Sequence, residues 1–233
     1  MKIIVTGASR GIGRGIATVL GRDGVEIGAL ARSSEHLETL RDEIAAQGGR
    51  CAIADADLRD AKSAGAAIAA LVEELGGVDG LVNNAGLVIR KDAMSISLDE
   101  WHAMVETNIN GLFYATRAVL PRLVEQRSGH IVNVSSISGY WPLAGGSGYA
   151  ATKYAVTGFS ESLFQEVRGH GVKVTTLFPG SVDTASHRHE DGDSSWKVRP
   201  EEVGEAVLGL LRTRDHNVVS RLEIRPLGRP PAG

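Results

Sequence analysis

Hydrophobic positions along this chain follow two alternating patterns. Short aliphatic or β-branched runs, such as KIIVT at residues 2–6 and IVNV at 131–134, are followed by longer stretches where apolar residues recur every three or four positions. The first pattern suits strands buried on both faces and the second suits helices with one apolar face, so their alternation predicts βαβ units around a parallel sheet. Seven strands are predicted, near residues 2–6, 25–31, 50–55, 79–83, 129–135, 172–178 and 217–224, with six helical stretches between them.

Two helix starts have a local cause. Ser97 followed by Glu100 forms a capping box, and Pro200 with Glu201 and Glu202 suits a first turn. The longest helix is expected over about 98–126, with Pro121 inside it as a point of kinking or early termination. No repeat or interdomain linker interrupts the pattern, so residues 1–233 form a single domain. One segment lacks periodicity, ASHRHEDGDSSWKVR at 185–199, and its sparse apolar anchors predict a substrate lid.

Composition narrows the function. A hydrophobic share of 42% with 23% charged residues is that of a soluble globular protein, and a net charge of −3 leaves no basic surplus for nucleic acid. Cys51 is the only cysteine, which excludes an internal disulfide. No run of signal-peptide or membrane-spanning length is present, so a cytoplasmic protein with neither membrane nor nucleic acid as partner is expected. His187 and His189 lack a third ligand at a matching interval, and no metal is expected. Arg188 between them is a candidate anchor for an anionic substrate group.

Candidate chemistry lies at two places. TGASRGIG, with glycines at 7, 11 and 13, sits between a strand and a helix, where glycine lets the backbone approach a pyrophosphate that faces the helix amides. After the second strand, where an NAD enzyme places a carboxylate for the ribose 2′-hydroxyl, the chain has Ala31 and Arg32. Arg32, with Arg10 in the glycine turn, suits a 2′-phosphate and therefore NADP(H). Tyr149 and Lys153 stand four apart in YAATKYAVTGF, on one helix face, where an ammonium is expected to lower the phenol pKa. Ser135 and Ser136 end the fifth strand at the carboxyl edge, where open α/β sheets bind ligands. Trp101 is expected in the core, and Tyr140, Trp141 and Trp196 are candidates for a substrate wall.

Over nearly its whole length the chain resembles the short-chain dehydrogenase/reductase family. The resemblance rests on TGASRGIG, Asp57-Leu58 after the third strand, NNAG at 83–86, the Tyr149/Lys153 pair thirteen residues after Ser136, and FPGSVDT at 178–184. It implies a Rossmann-type doubly wound seven-stranded parallel sheet with helices on both faces, in strand order 3-2-1-4-5-6-7. It implies a catalytic tetrad of Asn108, Ser136, Tyr149 and Lys153, with Asn108 holding a water that links the lysine to solvent. The implied cofactor contacts are Gly7, Ser9, Gly11, Ile12 and Gly13 in the turn, then Asp57, Leu58, Asn84, Ala85 and Gly86, then Tyr149 and Lys153, then Pro179, Gly180, Val182 and Thr184, beside Arg10 and Arg32. Asn83 and Ser135 are expected to be structural.

The expected activity is NADP(H)-dependent interconversion of a ketone or aldehyde and an alcohol on a small-molecule substrate, with Tyr149 as general acid/base. Two rivals stand beside it: a dehydrogenase oxidising a small polar hydroxy acid or 3-hydroxy amino acid, and a catalytically silent dinucleotide-binding scaffold or sensor. Relatives associate through the helices near 98–126 and 149–169, so a homodimer or homotetramer is expected.

Overall fold

The computed structural model describes residues 1–141, 144–184 and 193–228. Seven parallel strands form one sheet: β1 (Lys2–Thr6), β2 (Glu26–Ala31), β3 (Cys51–Asp55), β4 (Gly80–Asn83), β5 (Gly129–Val134), β6 (Val172–Pro179) and β7 (Arg221–Ile224). Their order is β3-β2-β1-β4-β5-β6-β7, so the sheet reverses its winding direction between β1 and β4. β7 begins later than its aliphatic run suggests because Asn217 closes a turn, its N–H donating to Arg214 O at 2.9 Å.

Alternation along each strand divides the core in two. Ile3 and Val5 face one side, under α1 (Gly11–Arg22), α2 (Ser34–Ala46) and α7 (Pro200–Leu211), where Ile16, Leu20, Leu37, Leu40 and Val207 close the layer. Ile4 faces the other side, under α3 (Ala61–Leu75), α5 (Gly111–Glu125) and α6 (Ser147–Val167), packed by Ile68, Leu71, Val119 and Leu163. The helices begin as their sequences dictate. Ser97 Oγ accepts from Glu100 N at 3.1 Å while Ser97 N donates back to the Glu100 carboxylate at 2.9 Å, opening α4 (Leu98–Val105). No helix among the described residues is long and apolar enough to cross a membrane.

The stretch predicted as one long helix is interrupted, though not at Pro121, which lies within α5. Residues Glu106–Asn110 form a π-turn between α4 and α5. One extra residue in a turn rotates the following helix face, a shift that a 3.6-residue period cannot register. It carries Asn108 inward to 2% exposure, while Trp101, expected in the core, is 38% exposed on α4.

One buried group makes folding sensitive to pH. His130 on β5 is packed against Thr175, with Nε2 to Oγ1 at 2.8 Å, and Thr175 Oγ1 donates to Val219 O at 2.7 Å, so Nε2 carries a hydrogen and donates it to Thr175. Burial, with a smaller contribution from the Lys173 charge, lowers its pKa from 6.5 to about 4. The unfolded chain therefore takes up a proton first. The stabilisation is complete above pH 6.5 and is lost as the pH falls toward 4. We expect a loss of about 2 kcal/mol between pH 7 and 5 attributable to this residue. Urea unfolding at both pH values should show that loss in the native chain and not in His130→Gln; an equal loss in both would exclude it.

Candidate active site

The carboxyl ends of β1, β2, β4, β5 and β6 open onto one cavity of about 480 Å³ that runs from the glycine turn to Tyr149 and Lys153. Its position beside the β1/β4 switch follows from the strand order. Gly7 takes a left-handed backbone (φ 67°) to leave β1. Gly13 does not line the cavity: it backs the turn, where a Cβ would stand 2.3 Å from both Asn84 Nδ2 and Gly7 O. Asn84 closes the same junction, its Nδ2 donating to Thr6 O at 3.0 Å and to Gly7 O at 3.3 Å, while Thr6 Oγ1 accepts from the backbone of Asn84 and Ala85. The turn and NNAG are thus one hydrogen-bonded unit. Arg10 precedes α1 without a side-chain cap on the helix amides. Asn83 points into the core instead, donating to Thr116 Oγ1 and Asn133 Oδ1.

At one end of the cavity lie Arg10, Arg32, Asp57, Leu58 and Arg59. The Asp57 carboxylate accepts from Arg59 N, Nε and Nη2, the last at 2.5 Å, and this partner holds it below the usual carboxylate range. Arg59 belongs to no motif of the sequence; its one mark there is that it directly follows Asp57-Leu58. No acid stands at the end of β2, where Ala31 and Arg32 line the wall.

At the other end α6 presents Tyr149 and Lys153 beneath the end of β5. Lys153 is 5% exposed, its Nζ donating to Val134 O at 2.9 Å and lying 5.8 Å from the Tyr149 ring centroid. Burial lowers its pKa to about 8. Burial raises the Tyr149 phenol, opposed by a hydrogen bond with Ser136 and by the charge of Arg90. Lys153, expected to lower the tyrosine pKa, is not among the groups that do so; Ser136 and Arg90 are. The amine loses its proton before the phenol does, so it carries no charge when phenolate would form.

The two serines differ sharply. Both line the cavity, but Ser135 is buried with its Oγ donating to Lys153 O at 3.0 Å, whereas Ser136 stands beside the Tyr149 hydroxyl and accepts from Ser138 N at 3.1 Å. Asn108 does not line the cavity. Its Nδ2 donates to Leu87 O and Thr152 Oγ1, both at 2.9 Å, and its Oδ1 accepts from Leu87 N at 2.7 Å. Its side chain fixes the strand-to-loop turn after NNAG, and a Cβ at Gly86 would stand 3.4 Å from Asn108 Oδ1 and 3.7 Å from Lys153 Nζ.

Ser9, Gly11, Ile12, Ala85, Gly86, Pro179, Gly180, Val182 and Thr184 also line it, as do Thr107 and Arg90, which no motif marked. Thr184 Cγ2 would meet a Cβ on Gly11 at 3.3 Å, so the FPGSVDT segment crosses onto the glycine turn. The excursion at 185–199 divides. Residues 185–192, with His187, Arg188 and His189, lie outside the described residues. The rest is anchored: Asp183 N donates to Val198 O and Val198 N to Ser181 O, and Lys197 and Val198 are buried. Within the segment expected to form a lid, residues 197–198 are thus held by two backbone hydrogen bonds, and Val198 joins Val182 in the core. Tyr140 and Trp141 do not line the cavity. Tyr140 packs on Phe178 and bonds Glu223 and Arg225, and Trp141 is 63% exposed. Trp196 also stays out of it, under the Lys197 ammonium.

Known proteins share this architecture. The NADP-dependent 3-hydroxy acid dehydrogenase YdfG of Escherichia coli is 36% identical over 245 residues, covering 100% of this chain and 98% of its own. An alcohol dehydrogenase from the archaeon Thermococcus sibiricus, complexed with 5-hydroxy-NADP, superposes with a TM-score of 0.92 at 31% identity over 100% of this chain and 99% of its own. A serine dehydrogenase from Escherichia coli gives 0.87 at 37% identity over 97% and 98%. The model of the short chain dehydrogenases matches residues 1–194, and the chain belongs to that family.

Proposed function

We propose that this chain is an NADP(H)-dependent oxidoreductase that interconverts an alcohol and its ketone or aldehyde. One observation carries the reading: Ser136, Tyr149 and Lys153 line the same cavity as the glycine turn. The dinucleotide fits the cradle. Gly7 and Gly13 leave no room for side chains at the turn, the first-turn amides of α1 lack a side-chain cap, and Arg10, Arg32 and Arg59 supply cations beside Ala31. When bound, it supplies or accepts the hydride.

Tyr149 gives its hydroxyl proton to the carbonyl oxygen in reduction and takes it back in oxidation. Ser136 polarises the same oxygen; one lone pair of its Oγ is held by Ser138 N, which directs its hydrogen outward. Lys153, with a pKa near 8, exchanges protons near neutrality and offers N–H groups to the nicotinamide ribose. Asn108 is a positioning residue that holds Leu87 and, through Thr152, the helix carrying Tyr149. A second reading, oxidation of a small hydroxy acid or 3-hydroxy amino acid, is supported by relatives named as 3-hydroxy acid and serine dehydrogenases. A cytoplasmic location is consistent with its single, unpaired cysteine.

Self-association through α5 and α6 belongs to this proposal, as a homodimer or homotetramer. Phe113 and Tyr154 are each 44% exposed there and Phe159 packs against Phe113. Light scattering should give a dimer or tetramer, and Phe113→Glu should move the mass toward the monomer; a monomeric native chain would end this part.

Tyr149→Phe should reduce kcat by about a thousandfold, as removal of a general acid/base does, while the NADPH dissociation constant stays within a few-fold. Retention of more than a few per cent of kcat would overturn the assignment, and NADPH binding without turnover of any alcohol or carbonyl would favour the scaffold alternative. NADPH should be preferred over NADH by at least about tenfold in kcat/KM, the weight of one charge-assisted contact. Arg32→Asp should narrow or reverse that ratio; an unchanged ratio would remove Arg32 from the phosphate site.

A further inference from the structure

Where α2 begins, two side chains line the cavity that no motif accounts for. Ser33 and His36 stand on its wall with Arg32, and Arg10, Asp57 and Arg59 line the same end. Ser33 is the residue before α2, the place from which a serine ordinarily caps a helix, yet its side chain accepts from none of the helix amides. Its Oγ lies 3.2 Å from His36 Nδ1 instead. The backbone of His36 is clamped from another side: Arg14 on α1 donates Nη1 to His36 O at 3.1 Å, and the same guanidinium pairs with Glu43 at 2.6 Å. One bond thus orients the ring and another holds its helix turn, while Nε2 has no protein partner among the described residues.

We propose that His36 is a further selector of the cofactor, donating from Nε2 to the 2′-phosphate that distinguishes NADP(H) from NAD(H). The proposal rests on the oxidoreductase reading above and adds to the cofactor site a residue outside the glycine turn and the arginines.

The placement of charge supports it. None of the four carboxylates of α2, Glu35, Glu38, Asp42 and Glu43, lines the cavity, and Glu43 is spent on Arg14. Asp57 is the only carboxylate in the lining among the described residues, and three donors of Arg59 hold it. An anion at this wall therefore meets guanidinium, hydroxyl and imidazole donors with the one nearby acid already satisfied. Ser33 suits either state of the ring. When Ser33 Oγ donates to Nδ1, the hydrogen of the neutral ring sits on Nε2; in the imidazolium both nitrogens carry hydrogens, Ser33 accepts, and Nε2 still donates. A phosphate selects these two forms over the remaining tautomer, in which Nε2 bears a lone pair. A ribose 2′-hydroxyl gains less from the same donor, because a neutral oxygen accepts more weakly than a charged one. That difference is what selectivity requires.

The test is calorimetric and needs no turnover. NADP+ and NAD+ are titrated into the native chain and into His36→Ala, and adenosine 2′,5′-bisphosphate and 5′-AMP repeat the comparison without the nicotinamide half. In His36→Ala the preference for the ligand that bears the 2′-phosphate should fall by about fivefold, the weight of one hydrogen bond, through weaker binding of NADP+ and the bisphosphate alone. His36→Gln, which keeps an uncharged N–H donor, should fall between. A preference unchanged in His36→Ala, with NADP+ still bound more tightly than NAD+, would overturn the role of His36 and leave the NADP(H) reading standing. Equal weakening of all four ligands would also overturn it, as the mark of lost packing at the wall rather than a lost phosphate contact. A native chain that binds NADP+ no more tightly than NAD+ would sink the NADP(H) reading itself and this role with it.

Discussion

A lysine amine removed from water is the constraint around which this site is organised. Lys153 is 5% exposed and spends one N–H on Val134 O. Desolvating an ammonium costs several kcal/mol unless the surroundings compensate, and here the visible compensation is one strand-end carbonyl and the face of Tyr149. Its pKa falls accordingly to about 8, which places the amine at the boundary between its charged and neutral forms under ordinary conditions. A group so poised responds to whatever binds beside it: acceptors such as ribose hydroxyls favour the ammonium, and a restored ammonium in turn favours phenolate at Tyr149.

The fold holds that amine in place through the strand end and loops around it. The end of β5 supplies Val134 O, and Ser135 ties the same strand end to the backbone of α6 at Lys153. Gly86 brings the loop after β4 against the amine, and Asn108 locks the next residue, Leu87, by both its N–H and its C=O. Asn84, one residue from that loop, bonds the glycine turn on β1. The phosphate cradle and the catalytic end are therefore joined through residues 84–87, which explains why a single cavity spans both.

Much of this was legible in the sequence because it depends on local pattern. Strand order, the glycine turn, the capping box at Ser97 and the one-face placement of Tyr149 and Lys153 all follow from periodicity, spacing or family resemblance. What escaped was set by tertiary placement. The π-turn that aims Asn108 at Leu87 adds a single residue to a helix whose hydrophobic pattern continues on either side. Trp101 and Tyr140 have no sequence mark that says which face of the molecule they meet. Arg59 and Arg90 look like any surface arginine until the ends of β3 and β4 bring them to the cavity wall. The charge of Lys153 is the clearest case: the i,i+4 spacing placed it beside the phenol correctly, but only its burial fixes the order in which the two groups lose protons.

That order is open to direct measurement. In protein carrying 13C-labelled lysine, the Cε resonance of Lys153, assigned by its loss in Lys153→Met, can be followed through a pH titration without ligand. A midpoint near 8 is predicted. A midpoint at the ordinary lysine value of 10.5 would contradict the account, since burial would then not have moved the amine at all.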